Sequence, residues 1–489
     1  MRFVTTRGQT PPVSFKTALF EGLAPDGGLY VPETIEPWTE SELSRLKNRT
    51  LTEAAMRALR PFTRGELDAT VFEAVIAAAL DFPIPLVEVE SGVYALELFH
   101  GPTLAFKDVG ARVMARLMAS LHMAEEPLTV LVATSGDTGS AVAHAFHAVP
   151  YTRVVVLYPD GRISPTQEAQ LTMFNDEPEG QSGNVGNVRA YAVSGSFDDC
   201  HRLTRQAFGD RDLRRRMPMT SANSVNVGRL LPQMVYYFHA LAELQRVRAD
   251  AGVPLGPTHG SAPTNPVFST PSGNFGNLTA GLMAKRAGLP VARFVAATNV
   301  NDVVPAYLAT GRFEPRASVP TLANAMDVGS PSNFERMSWL YAGDLDAMRR
   351  DIIGTRHTDD EVRDTIRRVY ETRGYLLDPH SAIGYLGLRR SVLDTREHHG
   401  ASASASGSRE PAAPGVGPRR REESRAPREM RDVGIFLATA HPAKFAEIVE
   451  PIIGRPIEKP KPLADALARP HHILKLDATL DAVKGALGA

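Results

Sequence analysis

The sequence predicts an α/β protein with two open, mostly parallel sheets behind a mainly helical N-terminal unit. The chain has 489 residues, of which 43% are hydrophobic. A single core stops growing at about 250–300 residues, so we expect at least two domains. From about residue 91, β-branched runs such as LTVLVA and RVVVLYP alternate with helical segments such as GSAVAHAFHA. This alternation is typical of βαβ units, which bind ligands beyond the carboxyl ends of their strands.

We divide the chain into three predicted parts. Residues 1–90 form the mainly helical unit, because amphipathic stretches there alternate with proline breaks. Residues 91–250 form a smaller α/β domain and residues 251–489 a larger one. Within the latter, residues 400–430 are rich in Ala, Ser, Gly, Pro and Arg and have no hydrophobic periodicity, which predicts a disordered insertion.

Composition excludes several classes of partner. The formal net charge is −1 and the pI is about 6.9, so no excess positive charge is available for nucleic acid or an acidic membrane surface. Cys200 is the only cysteine, the N-terminus has no signal-peptide pattern, and no apolar run approaches the length of a membrane span. We expect a cytoplasmic protein with no nucleic acid, membrane or metal ion as partner.

The segment 99–118, FHGPTLAFKDVGARVMARLM, is the most informative for chemistry. The spacing of Val109, Val113 and Leu117 predicts a helix that begins at or near Lys107. Only a primary amine forms a Schiff base with an aldehyde, and a partly desolvated amine loses its proton more easily. A surface lysine at a helix start is the alternative, and it would be the more common outcome for this segment alone.

A glycine turn between a strand-like segment and a helix predicts a phosphate site. Backbone N–H groups and the helix dipole favour an anion there, and glycine lets it approach closely. The turn is SGNFGN, with the residues Ser272, Gly273, Asn274, Phe275, Gly276 and Asn277. A similar motif, GNVGN at 183–187, precedes a strand-like segment. We interpret that one as a loop without phosphate chemistry.

A second strand, turn and helix carries hydroxyls and backbone donors that suit a substrate carboxylate. Its loop residues are Thr134, Ser135, Gly136, Asp137 and Thr138. Capping of the helix that begins near Thr138 is an alternative role, and the two roles are compatible because a cap residue can also face a ligand.

The segment SANSVNVGRL is a candidate for a second phosphate site. Arg229 supplies a guanidinium, which holds a dianion by paired hydrogen bonds, and Ser224 and Asn226 add donors. A surface or ion-pairing role for Arg229 is the alternative.

The apolar run in DVGIFLATAHPAKF, 432–445, predicts a strand that ends near Thr439. Its hydroxyl would then lie at the carboxyl edge of the sheet, where a cofactor is expected. His441 is a weaker candidate for a general base, because a Schiff-base lysine can transfer protons itself.

These motifs, with several others, resemble threonine synthases of the bacterial and fungal branch. The match runs through residues from about 1 to 395 and 431 to 460 in family order. The additional motifs are GSFDDC at 195–200, AATNVNDVVP at 296–305, NAMDVGSPSNFER at 324–336 and DPHSAIG at 378–384. The resemblance implies the fold of the fold-type II pyridoxal-phosphate enzymes, similar to tryptophan synthase β, with pyridoxal 5'-phosphate as cofactor.

The resemblance also implies a role for each candidate. Lys107 would hold the cofactor as a Schiff base, 272–277 its phosphate, and Thr439 its pyridine nitrogen. The loop 134–138 would bind the substrate carboxylate, and Ser224, Asn226 and Arg229 the substrate phosphate.

The implied reaction converts O-phospho-L-homoserine and water into L-threonine and phosphate, the last step of threonine biosynthesis, in a monomer or homodimer. The chain departs from the family pattern mainly by insertions at 176–187, 253–266 and 400–430, and by Gly228, where alanine is more usual and which should loosen a helix start. Two alternatives are another fold-type II lyase, such as a threonine dehydratase, and a non-catalytic protein that resembles threonine synthase.

Overall fold

The computed structural model describes residues 1–122, 126–134, 136–176, 186–250, 265–393 and 433–488. The predicted insertion 400–430 lies outside these ranges, as do most of 176–187 and 253–266, and so does Ser135. Among the described residues, no helix is both long and apolar enough to cross a lipid bilayer.

Two sheets form the framework of the protein. The larger sheet has six strands in the order β11-β10-β9-β12-β4-β3, parallel except for the antiparallel β3–β4 pair. Its strands are β3 Leu86–Glu90, β4 Val93–Glu97, β9 Val267–Pro271, β10 Arg293–Thr298, β11 Ile352–Arg356 and β12 Gly434–Ala438.

The smaller sheet has five parallel strands in the order β13-β7-β6-β5-β8. They are β5 Leu128–Ala133, β6 Thr152–Pro159, β7 Val188–Val193, β8 Met219–Ser221 and β13 Leu474–Leu476. Strand β5 is buried along its whole length, as expected for a central parallel strand covered on both faces. The predicted fold class, two open and mostly parallel α/β units, is confirmed.

The sheets do not follow the predicted division at residue 250. Strands β3 and β4 join the larger sheet, where β4 lies beside β12. Strand β13, near the C-terminus, joins the smaller sheet beside β7. We therefore propose α/β units that each include strands from outside the predicted continuous range.

The N-terminal unit contains four helices and a small antiparallel sheet. The strands are β1 Phe3–Thr5 and β2 Tyr30–Pro32, and the helices are α1 Phe15–Glu21, α2 Glu40–Ser44, α3 Leu51–Thr63 and α4 Ala69–Ala79. Capping boxes begin α2 at Thr39 and α3 at Thr50, which satisfies the free N–H groups of their first turns.

Helices cover both sheets. Those up to β9 are α5 Lys107–Leu121, α6 Asp137–Phe146, α7 Pro165–Thr172, α8 Phe197–Gly209, α9 Arg211–Arg216, α10 Val227–Leu230 and α11 Met234–Asp250. Those that follow are α12 Gly276–Arg286, α13 Val303–Thr310, α14 Phe334–Leu340, α15 Leu345–Asp351, α16 Asp359–Arg373 and α17 Pro379–Leu388. The described C-terminal helices are Ala446–Ile453, Lys461–Ala468 and Leu480–Leu487. The largest apolar cluster includes residues of α5, α11 and α12 and of both sheets, so one core supports the edge where their strands end.

Candidate active site

A cleft, with about 930 Å³ of empty space when the adjoining open solvent is included, brings together the loops that follow strands of both sheets. It is lined by residues that follow β5, β8, β9 and β12, the position at which open α/β sheets bind ligands. The predicted site residues among its lining are Lys107, Thr134, Asp137, Thr138, Ser224, Arg229, Gly273, Asn274, Phe275, Gly276, Asn277 and Thr439. The sequence motifs therefore converge on one site, although they lie more than 300 residues apart.

Lys107 is the first residue of α5, as the apolar spacing predicts. Its side chain is 14% exposed, and Nζ lies 3.9 Å from Asp137 Oδ2 and 5.7 Å from the ring centroid of Phe106. Burial lowers the pKa of Lys107 to about 8, with Lys444 and Arg229 acting in the same direction and Asp137 opposing them. An amine with this pKa loses its proton near neutral pH, which Schiff-base formation and proton transfer both require.

The SGNFGN turn has the geometry of an anion site. Helix α12 begins at Gly276, and the N–H groups of a first helical turn have no acceptor within the helix. Phe275, which precedes it, has φ 60°, an uncommon conformation outside glycine that turns the chain sharply into the helix. These features fit the phosphate of pyridoxal phosphate at the wall of a cleft that also contains Lys107.

The side chains of the turn hold its own shape. Ser272 Oγ donates to Asn277 Oδ1 at 2.8 Å, and Asn277 Nδ2 donates to the carbonyl of Pro271 at 2.8 Å. Asn274 Oδ1 accepts hydrogen bonds from the N–H and hydroxyl of Ser332. The donors left for a ligand are therefore mainly backbone N–H groups.

Gly273 is required for close packing of the cleft wall. A Cβ there would lie 2.9 Å from Met326 Cα and 3.1 Å from the carbonyl oxygen of Ala325. Both neighbours are backbone atoms, which cannot move aside as a flexible side chain can. Gly273 is predicted from the sequence to let the phosphate approach closely, and the structure adds that a Cβ there would contact the 324–328 loop.

We predict that Gly273→Val weakens cofactor retention by roughly ten- to a hundredfold, because overpacking costs about 1–3 kcal/mol and displaces this loop. Titration of the apoprotein with pyridoxal phosphate would measure it. Gly209→Ala is the control, since a Cβ at Gly209 meets no atom within 4 Å. An unchanged affinity for Gly273→Val would mean that the phosphate binds elsewhere.

The loop after β5 is held by its own hydrogen bonds. Thr134 Oγ1 accepts from the N–H groups of Gly136 and Gly139, at 3.0 and 2.8 Å. Gly136 has φ 131°, which only glycine adopts without strain, and it does not line the cleft. Thr138, in the first turn of α6, remains a candidate ligand, and Ser135 lies outside the described residues.

The carboxylate of Asp137 accepts a hydrogen bond from a glutamine and forms an ion pair with a second lysine. Its Oδ1 accepts from Gln167 Nε2 at 3.1 Å and lies 2.9 Å from Lys444 Nζ. Burial alone would raise the pKa of Asp137, but Lys444 and Lys107 lower it well below its usual value. The residue is therefore ionised and paired.

Arg229 is 4% exposed and lines the cleft. Its Nη1 donates to the carbonyl of Ala222 at 2.7 Å, whereas its buried Nε has no hydrogen-bond partner among the described residues. Burial lowers the pKa of Arg229 to about 10, which keeps it charged at neutral pH. Among the described residues no carboxylate pairs with Arg229, and an unpaired buried cation in a cleft wall is suited to hold an anion.

Asn226 does not line the cleft. Its Nδ2 donates to the carbonyls of Leu19 and Ser221, and its Oδ1 accepts from the N–H of Gly228, so it caps α10. At the adjacent Gly228, a Cβ would lie 2.2 Å from Leu19 Cδ1. The glycine lets α1 pack closely on the segment that carries Arg229.

Ser224 lines the cleft and is held by a second buried arginine. Its hydroxyl accepts from Asn333 Nδ2 at 3.2 Å, and its carbonyl accepts from Arg336 Nη1 at 3.1 Å. Arg336 also donates to Tyr30 in β2, which ties the N-terminal unit to the site. The NAMDVGSPSNFER motif therefore supports the segment that carries Arg229.

Thr439 lines the cleft one residue after β12, as predicted. Its carbonyl accepts from the N–H of Phe106, next to Lys107. His441 is not a lining residue. Its Nδ1 accepts from the N–H of Ala443, and burial lowers its pKa to about 4, so the structure favours a loop histidine over a general base.

The GNVGN segment is described only from Gly186. Asn187 Nδ2 donates to the carbonyls of Phe146 and Thr152, which secures the start of β7. This supports the interpretation of a loop without phosphate chemistry for the described part. Residues 183–185 lie outside the described residues.

His380 and Asp327 line the cleft but were not predicted as site residues. His380 Nδ1 lies 2.7 Å from Asp378 Oδ2, and its Nε2 accepts from the N–H of Ala325, so the proton is on Nδ1. Burial raises the pKa of Asp327 to about 6. The motifs DPHSAIG and NAMDVGSPSNFER contain both residues and were the available signal for them.

Three family models together match most of the chain. "Pyridoxal-phosphate dependent enzyme" matches residues 80–402, "Threonine synthase N terminus" 2–80 and "Threonine synthase, C-terminal" 415–487. The chain is 40% identical over 454 residues to threonine synthase of Haemophilus influenzae, covering 92% of this chain and 91% of that protein. It is 39% identical over 465 residues to that of Serratia marcescens, covering 95% and 94%.

Solved structures agree with these relatives. Threonine synthase from Escherichia coli aligns with a TM-score of 0.82 and 37% identity, covering 100% of this chain and 99% of that one. Pyridoxal-phosphate-bound threonine synthase from Brucella melitensis aligns with a TM-score of 0.81 and 34% identity, covering 100% and 98%. The chain therefore belongs to the threonine synthase family of pyridoxal-phosphate-dependent enzymes.

Proposed function

We propose that the cleft converts O-phospho-L-homoserine and water into L-threonine and phosphate, with Lys107 as the Schiff-base lysine. One observation carries the assignment of substrate. The cleft wall contains a buried arginine, Arg229, that makes no ion pair among the described residues, in addition to the SGNFGN turn that suits the cofactor phosphate. A reaction in which both cofactor and substrate carry phosphate needs two such anion sites.

The cofactor site is proposed to use three parts of the cleft. The backbone N–H groups at the start of α12 would hold the phosphate, and the side chains of Ser272, Asn274 and Asn277 would keep that turn in shape. Thr439 would face the pyridine nitrogen. A hydroxyl there would leave that nitrogen neutral and so moderate the electron withdrawal that a carboxylate partner would strengthen.

Pyridoxal phosphate supplies an electron sink for negative charge at Cα of a bound amino acid. The chain's own residues choose which bond breaks. Lys107 Nζ, with its lowered pKa, would take the protons from Cα and Cβ and return protons to carbon as water adds. Because the side chain of Lys107 is mostly buried, it would exchange these protons largely out of contact with bulk water.

The carboxylate and the phosphate at the two ends of the substrate are proposed to bind to different parts of the cleft. Thr138 and the N–H groups at the start of α6 would bind the carboxylate, because a helix N-terminus favours negative charge. Arg229 and the Ser224 hydroxyl would bind the phosphate that leaves. A threonine dehydratase needs no second phosphate site, and a non-catalytic protein needs no buried lysine of lowered pKa, so both alternatives are disfavoured.

We include a cytoplasmic location and a monomer or homodimer in the proposal. The one cysteine, Cys200, is buried, and burial raises the pKa of its thiol to about 12. An unreactive free thiol and no disulfide suit a reducing compartment.

The direct test is to incubate the purified holoenzyme with O-phospho-L-homoserine and to measure phosphate and threonine together. We expect the two products in equal amounts, and no release of ammonia from threonine or serine. Formation of 2-oxobutanoate from threonine without phosphate release would support the dehydratase instead.

A further inference from the structure

Lys444 is a fully buried lysine that lies behind the cleft but does not line it. It belongs to the short 3-10 helix Pro442–Phe445 that follows β12. Its Nζ donates to the carbonyl of Thr103 at 2.8 Å and lies 2.9 Å from Asp137 Oδ1. A buried ammonium persists only when it is paired and hydrogen-bonded, and Asp137 provides its charge partner.

Asp137 lies between two lysines, one at each carboxylate oxygen. Its Oδ1 is held by Lys444 and Gln167, and its Oδ2 lies 3.9 Å from Lys107 Nζ. Because Lys444 Nζ and Gln167 Nε2 both hold Oδ1, the other oxygen, Oδ2, is directed toward Lys107.

An unpaired carboxylate here would oppose the proposed chemistry in two ways. It would stabilise the ammonium form of Lys107, which must release its proton, and it would repel the anionic substrate from the loop at the start of α6. A cation directly behind the carboxylate offsets both effects in part while it keeps the carboxylate in its orientation.

We propose that Lys444 is a positioning residue, which orients Asp137 toward Lys107 and compensates the negative charge of Asp137. Lys107 then lies next to a neutral Lys444–Asp137 pair and not next to a free carboxylate. The inference rests on the proposed function in that Lys107 is the proton carrier. It concerns the environment of Nζ, however, and can be measured without turnover.

The variants that test it leave the other charged or titratable groups near Lys107 in place. These are Arg229 on α10, Asp108 on α5, His201 on α8, His380 on α17 and Asp327 in the 324–328 loop.

The test is a spectroscopic pH titration of holoenzyme variants, since the visible absorption of the lysine-bound cofactor changes when Nζ loses its proton. Lys444→Met should move the midpoint up by about one pH unit, because the negative charge of Asp137 is then uncompensated. Asp137→Asn should move it down, because Lys444 then acts alone. The double variant Lys444→Met/Asp137→Asn should lie between the two single variants.

Activity supplies a second readout. We expect Lys444→Met to raise KM for the anionic substrate by roughly tenfold, because the free carboxylate of Asp137 then repels the substrate. The double variant should recover much of the lost affinity for substrate. Lys285→Met is the matched control, because Lys285 pairs with Asp351 at 2.8 Å outside the cleft lining and should leave the midpoint unchanged.

The proposal is supported if the two single variants move the spectroscopic midpoint in opposite directions and the double variant shows a midpoint between theirs. This holds even if no turnover of O-phosphohomoserine is found. A purely structural role predicts lower stability without opposed shifts. Shifts of the same sign, no shift in Lys444→Met, or a double variant outside the range of the single variants would overturn it. Since the double variant removes both buried charges, it can be measured even if one single variant does not fold.

Discussion

Replacing Lys107 with alanine should abolish threonine formation, with a loss of at least about 1,000-fold in kcat, because both the covalent attachment and the proton carrier are removed. Among the described residues that line the cleft, Lys107 is the only lysine. Lys444 cannot replace it, because its Nζ is bound to Asp137 and Thr103. The variant should also lose the visible absorption of lysine-bound cofactor that borohydride bleaches in the wild type.

Lys107→Arg separates charge from chemistry. The guanidinium keeps the positive charge beside Asp137 but forms no Schiff base, so this variant should be as inactive as Lys107→Ala. Lys461→Ala is a suitable control, because Lys461 pairs with Asp465 on the surface. Turnover of Lys107→Ala near the wild-type rate would disprove the assignment.

The elements with a strong local period could be predicted from the sequence. The apolar spacing after Lys107 gave the start of α5, and the apolar run before Thr439 corresponds to β12. Both signals are local, since they reflect the repeat of a helix or of a buried strand. The convergence of the motifs on one cleft followed from the rule that ligands bind at the carboxyl ends of parallel strands.

What sequence missed depends on tertiary placement. Nothing in a local pattern shows that Asn226 points inward to cap α10, or that Lys444 reaches Asp137, some 300 residues earlier in the chain. The pairing of β13 with β7 is also non-local, because an edge strand can come from any part of the chain. The sequence therefore predicts which motifs share a site better than it predicts the role of each polar residue within them.

Arg229→Ala should lower kcat/KM for O-phosphohomoserine by roughly ten- to over a hundredfold. Removal of a charge-assisted hydrogen bond costs on the order of 1.5–3 kcal/mol. The variant should retain its cofactor, because Arg229 holds the substrate in this proposal and not the cofactor. Arg229→Lys should recover only part of the loss, since a point charge replaces a planar pair of donors.

A second buried arginine, Arg336, serves as the control that separates a loss of substrate binding from a loss of stability. Arg336 is fully buried, and its side chain donates to Tyr30, Ser224, Asn333 and Val225. Its replacement by alanine should mainly lower Tm, because it leaves those acceptors unpaired, whereas Arg229→Ala should mainly lower kcat/KM. Inorganic phosphate should inhibit the wild type competitively and the Arg229→Ala variant much less. If Arg229→Ala lost its cofactor and kept its affinity for substrate, Arg229 would belong to the cofactor site, and the model of two anion sites would be wrong.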